Sequence, residues 1–556
     1  MDRPLHFIEH IIEEDLANGF PKQDLRFRFP PEPNGFLHIG HVKAICINFN
    51  LGERYGAPVN LRFDDTNPAK EEQQFVDAIK ENIQWLGYQW DKECYASDYF
   101  DQLYQWAHQL IDQGLAYVDS QDSAAIAAQK GTPTEAGSES PYRNRSAAEN
   151  KSLFTAMHDG KFEAGAHVLR AKIDMAASNM LLRDPVMYRI LYKTHHRTGD
   201  QWCIYPLYDW THGESDYIEQ VSHSLCSLEF KPHRDLYEWF LKALNPNSGM
   251  IPKQREFARM NLSYTVTSKR KLMTLIEKGL VSGWDDPRMP TISGLRRRGY
   301  TPQALRNFVD AAGVAKRDNV IDLSLLEFSI REHLNTIAPR VMGVLDPVKL
   351  TISNYPDDQE ELLEGEINPE NLELGTREIP FSKHLFIERE DFQESANRKF
   401  FRLTLEKEVR LKNAYIIKGE SVVKDPEGNI VEIICTYDPE SKSGTGTESS
   451  MRKVKGTLHW VSQKHAVAAQ VNLYDRLFKV EAPDQDKATD FVAHINENSL
   501  ETITAMVEPG LQNAIPGTQY QFQRMGYFVV DTDSTAEQLI FNKTVGLRDT
   551  WAKQNG

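Results

Sequence analysis

Hydrophobic and polar positions change period along this chain, and the changes mark its parts. Phe7, Ile8, Ile11 and Ile12 recur at helical spacing ahead of Gly19, which predicts a leading helix within residues 1–24. Leu25, Phe27 and Phe29 alternate as in a buried strand, and the apolar-rich run 42–49 reads as a helix. A second strand, 58–63, ends at Asp64 and Asp65. Asn67 and Pro68 then open a helix with Phe75, Ile79, Ile83 and Leu86 on one face, closed by Gly87. Alternating strands and helices predict an open α/β sheet, which binds ligands at the carboxyl ends of its strands.

From about 100 to 207 the alternation is interrupted. Residues 119–152, rich in Ser, Ala, Glu and Gly, read as mobile surface, and 168–192 read as more ordered. Beyond about 339 the period becomes two: 347–352, 402–405, 408–412 and 457–461 are strand-like, with a hairpin turn at 425–428. An α/β region followed by a run of strands predicts separate all-β domains.

A chain of 556 residues exceeds one core, so roughly three to five domains are expected. The start lacks the basic-then-apolar pattern of a signal peptide, and no stretch approaches the ~18 apolar residues of a membrane span. Five cysteines, at 46, 94, 203, 226 and 435, have no C-x-x-C spacing. They predict free thiols in a reducing compartment, the cytoplasm, with no structural zinc. A net charge of −16 argues against indiscriminate nucleic-acid binding and leaves room for local basic patches.

Candidate chemistry concentrates in residues 29–41, FPPEPNGFLHIGH, where a strand passes through a Gly-containing turn into a helix. That arrangement presents backbone N–H groups and a helix N-terminus to a phosphate. His38 and His41 share one face of the first turn and can donate hydrogen bonds to phosphate oxygens; an H-x-x-H alone is equally a surface pair or half a metal site. Asp64 and Asp65 stand where ligands bind, although acidic pairs after strands are often helix caps. Tyr208 and His212 lie four apart, and residues 266–271 (VTSKRK) form a basic loop. Arg296, Arg297 and Arg298 make the sharpest basic cluster in the chain.

Residues 32–41 resemble the HIGH motif of class I aminoacyl-tRNA synthetases, and 28–35 (RFPPEPNG) resemble its glutaminyl/glutamyl branch. Residues 222–230 (SHSLCSLEF) are similar to the glutamine side of that branch, and the resemblance runs to FNKTVGLRDTW at 541–551. It implies a Rossmann-like α/β catalytic domain with an α/β insertion, a helical region and two C-terminal β-barrels. The expected boundaries are 25–100 and 202–265 for the catalytic halves, 101–201 for an acceptor-stem-binding insertion and 266–338 for a KMSKS-like loop with helices. A proximal barrel is expected at 339–390 with 462–540, a distal one at 391–461, and 541–556 returns toward the catalytic half.

The same resemblance implies activation of L-glutamine by ATP, carried with Mg²⁺, and transfer to the terminal 2′-OH of tRNA(Gln). His38, His41, Ser268 and Lys269 are the implied catalytic residues. Glu32, Pro33, Asn34, Ile39, Gly40, Val42, Lys43, Ala44, Ser227, Arg259, Met260 and Thr267 complete the implied ATP site. Asp64, Tyr208, Arg28, His212 and Gln254 line the implied glutamine site, with Asp64 on the α-ammonium and Arg28 engaged by a nearby carboxylate. Arg296, Lys316, Arg317, Arg340, Arg402, Arg410, Lys412, Gln521 and Arg524 are the implied tRNA contacts. No protein-held metal and no membrane are expected, and the chain is expected to act as a monomer. Three positions depart from the family pattern: Thr267 replaces a Met, Lys412 an Arg, and Pro133 an apolar side chain in a loop that opens the acceptor end. The alternatives are a glutamate–tRNA ligase of the archaeal/eukaryotic type and a catalytically dead tRNA-binding protein.

Overall fold

Apolar alternation in the first hundred residues becomes a parallel sheet in the computed structural model, which describes residues 4–245, 250–397, 399–486 and 488–548. The last part of the expected segment 541–556, from 549 on, lies outside the described residues. The chain divides into two compact units, Met1–Asn261 with Val309–Ile321, and Leu262–Phe308 with Asp322–Gly556. No helix among the described residues is long and apolar enough to cross a membrane.

In the first unit, helix α1 (Phe7–Ala17) leads into strand β1 (Phe27–Phe29), helix α2 (Ile39–Tyr55), strand β2 (Val59–Phe63), helix α3 (Gln73–Trp85) and strand β3 (Glu93–Tyr95). β1, β2 and β3 pair in parallel, Phe27 with Val59 and Leu61 with Glu93. All residues of β1 and β2 are buried, as a parallel sheet covered on both faces requires. Gly56 ends α2 in the left-handed conformation, φ 65°, which lets the chain turn straight into β2.

Strands β4 (Ala116–Asp119), β5 (Val168–Ala171), β6 (Val186–Ile190) and β7 (Ile204–Pro206) form an antiparallel insertion sheet. Its Leu169, Tyr188 and Ile204 share a core with Phe100, Phe154 and Trp210. The segment 119–152, read as mobile surface, holds the helix Ser123–Gln129 and the start of Ala147–His158, because Ile126, Phe154 and Met157 bury a sparse apolar face. Strand β7 also joins this sheet, Tyr188 opposite Pro206, although residue 202 was the expected restart of the catalytic half.

The parallel α/β pattern resumes with helix α4 (Tyr208–Ile218) and the parallel strands β8 (His223–Ser227) and β9 (Lys253–Phe257). Ser222 N donates to Arg26 O at 3.0 Å, which sets β8 beside β1. The spatial order is therefore β3-β2-β1-β8-β9, with the reversal between β1 and β8. Such a reversal leaves a crevice at the strand ends.

The second unit opens with helices α5 (Lys269–Glu277), α6 (Ile292–Arg297) and α7 (Leu323–Ile337). Two barrel-like seven-stranded sheets follow. One orders Arg340–Val341, Gln519–Phe522, Gly526–Val530, Ile540–Val545, Val467–Tyr474, Leu500–Val507 and Gly343–Val344. The other orders Thr457–Leu458, Glu408–Leu411, Ile416–Lys424, Ile430–Tyr437, Pro347–Ile352, His384–Glu388 and Val461–Ser462. This differs from the expected boundaries. Pro347–Ile352 and His384–Glu388, expected in the proximal barrel, pair instead with strands that begin within 391–461, Leu350 lying opposite Ile433 and Phe386 opposite Val461. Val348, Leu350, Ile352, Leu385 and Ile387 all enter that sheet's core, and this burial determines the register. Residues 402–405 form only isolated bridges, while the turn at 425–428 joins Ile416–Lys424 to Ile430–Tyr437 as expected.

Candidate active site and nucleic-acid interface

At the start of α2 the two histidines close a reciprocal cap. Gly40 N donates to His38 Nδ1 at 3.1 Å, and His38 N donates to His41 Nδ1 at 3.1 Å. Both Nδ1 atoms are therefore acceptors, so each neutral ring carries its hydrogen on Nε2. Burial lowers both pKa values, His38 well below its ordinary value and His41 to about 4, so both rings are neutral donors at pH 7. A Cβ on Gly40 would lie 2.9 Å from His38 Cε1, which is why glycine stands there.

Around this turn, Asn34 Nδ2 donates to Glu32 Oε2 at 2.5 Å, and Asp64 N ties the end of β2 to Pro31 O. Lys43 is 1% exposed and its pKa is lowered by burial. Arg259 pairs with Glu229 at 3.2 Å and also donates its backbone N–H to Asp318, while Ser227 donates to the same Glu229. Pro33, Ile39, Val42 and Met260 are buried, the last against the Gly40 side of the turn. Thr267, Ser268 and Lys269 belong to the second unit, where Ser268 is the N-cap of α5 and Lys269 its first residue.

The charge centre of the strand-end crevice is Asp216, on α4 and fully buried. It accepts from Arg28 Nε at 3.0 Å, Arg62 Nη1 at 2.7 Å, Ser224 Oγ at 2.6 Å and Tyr237 Oη at 3.0 Å. Burial alone would raise its pKa; Arg28 and Arg62 hold it well below the usual carboxylate range. Arg28 donates further to Leu225 O, Ser224 Oγ and His212 Nε2, so its guanidinium is spent on the protein. His212 Nε2, 2.6 Å from Arg28 Nη2, is thereby an acceptor, and burial drops the ring's pKa to about 3.

Asp64 differs from Asp216. It is 3% exposed, its Oδ2 has no hydrogen-bond partner among the described residues, and burial lifts its pKa to about 7. Tyr208, the first residue of α4, stacks on His212 at 4.9 Å and packs against Phe230 at 5.2 Å. Burial and then the Asp64 charge raise its phenol's pKa, so the hydroxyl stays protonated within reach of that carboxylate's field. Gln254 spends its amide hydrogens on Phe230 O and Glu256, which leaves only Oε1 open.

Asp65, His195 and His196 put ligand atoms within 4.8 Å of one another, a metal-like grouping at which no metal was expected. The three are joined by hydrogen bonds among themselves and to neighbours: His196 Nε2 lies 3.2 Å from Asp65 Oδ2, and its buried Nδ1 has no partner among the described residues. His195 Nδ1 accepts from Arg197 N and Thr198 N, so its Nε2–H donates to Asp65 O at 2.8 Å. The Asp65 carboxylate accepts from Ser97 N and Oγ.

In the second unit Arg340, Lys412, Gln521 and Arg524 line one cavity of about 510 Å³, with His459, Asn413 and Thr457. Parallel pairing sets Arg340 opposite Gln521. Arg524 forks onto buried Asp391, and Arg402 reaches the same carboxylate at 3.3 Å. Arg410 braces Ser441 O, Ser443 Oγ and Ser450 O instead of lining the cavity. Arg296 is exposed at the end of α6, and Lys316 and Arg317 lie in the first unit, Lys316 over the Phe7 ring at 5.1 Å. Sequence reasoning missed Asp216, Arg62 and Ser224. The available signal was an arginine on each of two adjacent buried strands, which demands a buried carboxylate.

Residues 24–336 match the family described as tRNA synthetases class I (E and Q), catalytic domain. Residues 338–438 and 457–531 match two anti-codon binding domain descriptions of the same family. Over 549 residues the chain is 55% identical to the glutamine–tRNA ligase of Rhodopirellula baltica, covering 99% of this chain and 90% of that one. Over 553 residues it is 54% identical to the glutamine–tRNA ligase of Vibrio vulnificus, covering 99% and 98%. A glutamate tRNA ligase structure from Elizabethkingia meningosepticum gives a TM-score of 0.44 at 17% identity over 57% of this chain and 70% of that one, a likeness that carries no argument.

Proposed function

The chain belongs to the class I tRNA synthetases of the E and Q type, and from that premise we propose that it ligates glutamine to tRNA(Gln), in the cytoplasm and as a monomer. The observation that carries the choice of amino acid is the clamp on Arg28. With its guanidinium spent on Asp216, Leu225 O, Ser224 and His212, Arg28 is not free to pair with a glutamate side chain. A carboxylate buried there without a partner costs several kcal/mol, about what strong discrimination needs. Tyr208 Oη can accept from the amide NH₂ of glutamine, a donor that glutamate lacks.

The unpartnered Asp64 Oδ2 takes the α-ammonium of the substrate. The substrate's carboxylate attacks the α-phosphorus of ATP, the bond to pyrophosphate breaks, and glutaminyl-adenylate forms. His38 and His41 aim neutral Nε2–H donors at phosphate oxygens whose charge grows in the transition state. Lys269 and Ser268 act on the same phosphates, and Mg²⁺ arrives with ATP as part of the substrate. The terminal 2′-OH of tRNA then attacks the acyl carbonyl and AMP leaves. Arg340, Lys412, Gln521 and Arg524 form the anticodon-facing cavity, while Arg402 supports it through Asp391.

The test is kcat/KM for glutamine and glutamate with tRNA(Gln), for wild type and Tyr208→Phe. Wild type favours glutamine by orders of magnitude, and the variant narrows the ratio. A wild-type preference for glutamate would overturn the reading.

A further inference from the structure

Away from the anticodon-facing cavity, the second unit holds a smaller one of about 320 Å³ whose wall gathers Arg298, Arg331, Arg476 and Lys543. Arg298 donates from Nη2 to Tyr474 O at 3.3 Å and lies over the Tyr474 ring, and its buried Nε has no partner among the described residues. Among the described residues neither Arg331 nor Lys543 has a carboxylate within 4.0 Å. Arg476 sits over the Tyr264 ring at 4.4 Å and pairs with Glu327 at 4.0 Å.

Three acids also line the wall and do not neutralise it. Glu327 faces Arg476, Asp475 accepts from the Arg476 backbone N–H at 2.7 Å, and Glu501 lies on an exposed strand end. Burial, then the charge of Arg298, holds the Lys543 ammonium below its ordinary pKa, so like charges are gathered where water is scarce. Gly299, at φ 93°, brings the end of α6 against Thr544 and Val529, where any Cβ would clash at 2.4 Å. That close approach holds Arg298 beside Lys543, a costly arrangement unless an anion bridges them.

We propose that this cavity seats a phosphate group of the RNA backbone, beyond the anticodon-facing cavity. The forked guanidiniums of Arg298 and Arg331, with the Lys543 ammonium beside them, suit phosphate geometry and charge. The inference rests on tRNA as the substrate.

The experiment measures tRNA(Gln) binding by the full chain against salt, together with charging, for wild type, Lys543→Met, Arg331→Gln and Lys543→Arg. Lys543→Met and Arg331→Gln each flatten the slope of log K against log salt by about one unit. They raise KM for tRNA but not for glutamine, and Lys543→Arg keeps the wild-type slope. Calorimetric titration with inorganic phosphate and pyrophosphate shows no saturable binding below millimolar concentration; tight binding of either would assign the cavity to a free phosphate and overturn the proposal. Unchanged slopes in both variants, beside a wild type that charges tRNA(Gln) with glutamine, sink the cavity inference alone. A wild type that neither binds nor charges tRNA(Gln) sinks the functional reading with it.

Discussion

At Asp216 one carboxylate faces two guanidiniums, a hydroxyl and a phenol, and these contacts hold the Arg28 guanidinium on the protein. Asp216→Asn leaves buried Arg28 without a carboxylate and Arg62 with Glu219 at 3.4 Å, a loss of about 3–5 kcal/mol by analogy with other broken buried pairs. It also releases part of Arg28 toward the pocket, so the kcat/KM ratio of glutamine to glutamate falls. Chemical denaturation and the two kinetic constants check this; lost stability with an unmoved ratio would make Asp216 purely structural. Asp64 gives a pH prediction of definite sign. Its folded-state pKa, about 7, is raised by burial, and only the ionised form holds an ammonium. Below pH 7, kcat/KM for glutamine therefore drops about tenfold per pH unit, and above it levels off, since this constant reports the free enzyme. In Asp64→Asn that limb disappears along with most of the activity.

The element that shows function opposing stability is α5. It begins with Lys269, Arg270 and Lys271, three cations in a first turn whose dipole favours anions. A helix chosen for stability alone would not start so. Lys269→Ala should therefore leave Tm unchanged or slightly higher, while kcat falls at least about a hundredfold with little change in KM for ATP. Rapid-quench adenylate formation and a thermal melt check both halves; a change confined to KM would make Lys269 a ground-state contact. In α2 the conflict is resolved by composition. His38 and His41 cap each other, and Gly40 makes room for the His38 ring, so the catalytic geometry is also the helix start. That helix was readable from residues 29–49 because its signals are contiguous. The helix Ser123–Gln129 and the one that starts at Ala147 were not, because each buries only one or two large apolar side chains in a polar stretch.

Across the second unit, α7 belongs with the β-sheets: Tyr527 Oη meets Asn335 Oδ1 at 3.3 Å, and Asn368 Nδ2 caps three carbonyls at 335–338. Cutting the chain near 338 would open this core, so point substitution separates tRNA reading from folding more cleanly. Arg340→Gln should weaken tRNA(Gln) binding by about 1–3 kcal/mol and leave KM for glutamine unchanged, as filter binding and charging assays would show. Equal loss for non-cognate tRNA would mark Arg340 as a backbone contact. Of the fold, the sequence by itself determined the α/β pattern, the period-two tail, the histidine turn and the acid at the end of β2, since each is a pattern of neighbouring residues. Only the tertiary structure decided that Arg28 spends its charge on a carboxylate 188 residues away, that Arg410 is a brace while Arg340 and Gln521 share a cavity, and that Pro347–Ile352 joins the sheet of Ile430–Tyr437. Ion pairing and strand pairing depend on which groups are brought together in space, and distance along the chain carries no record of that.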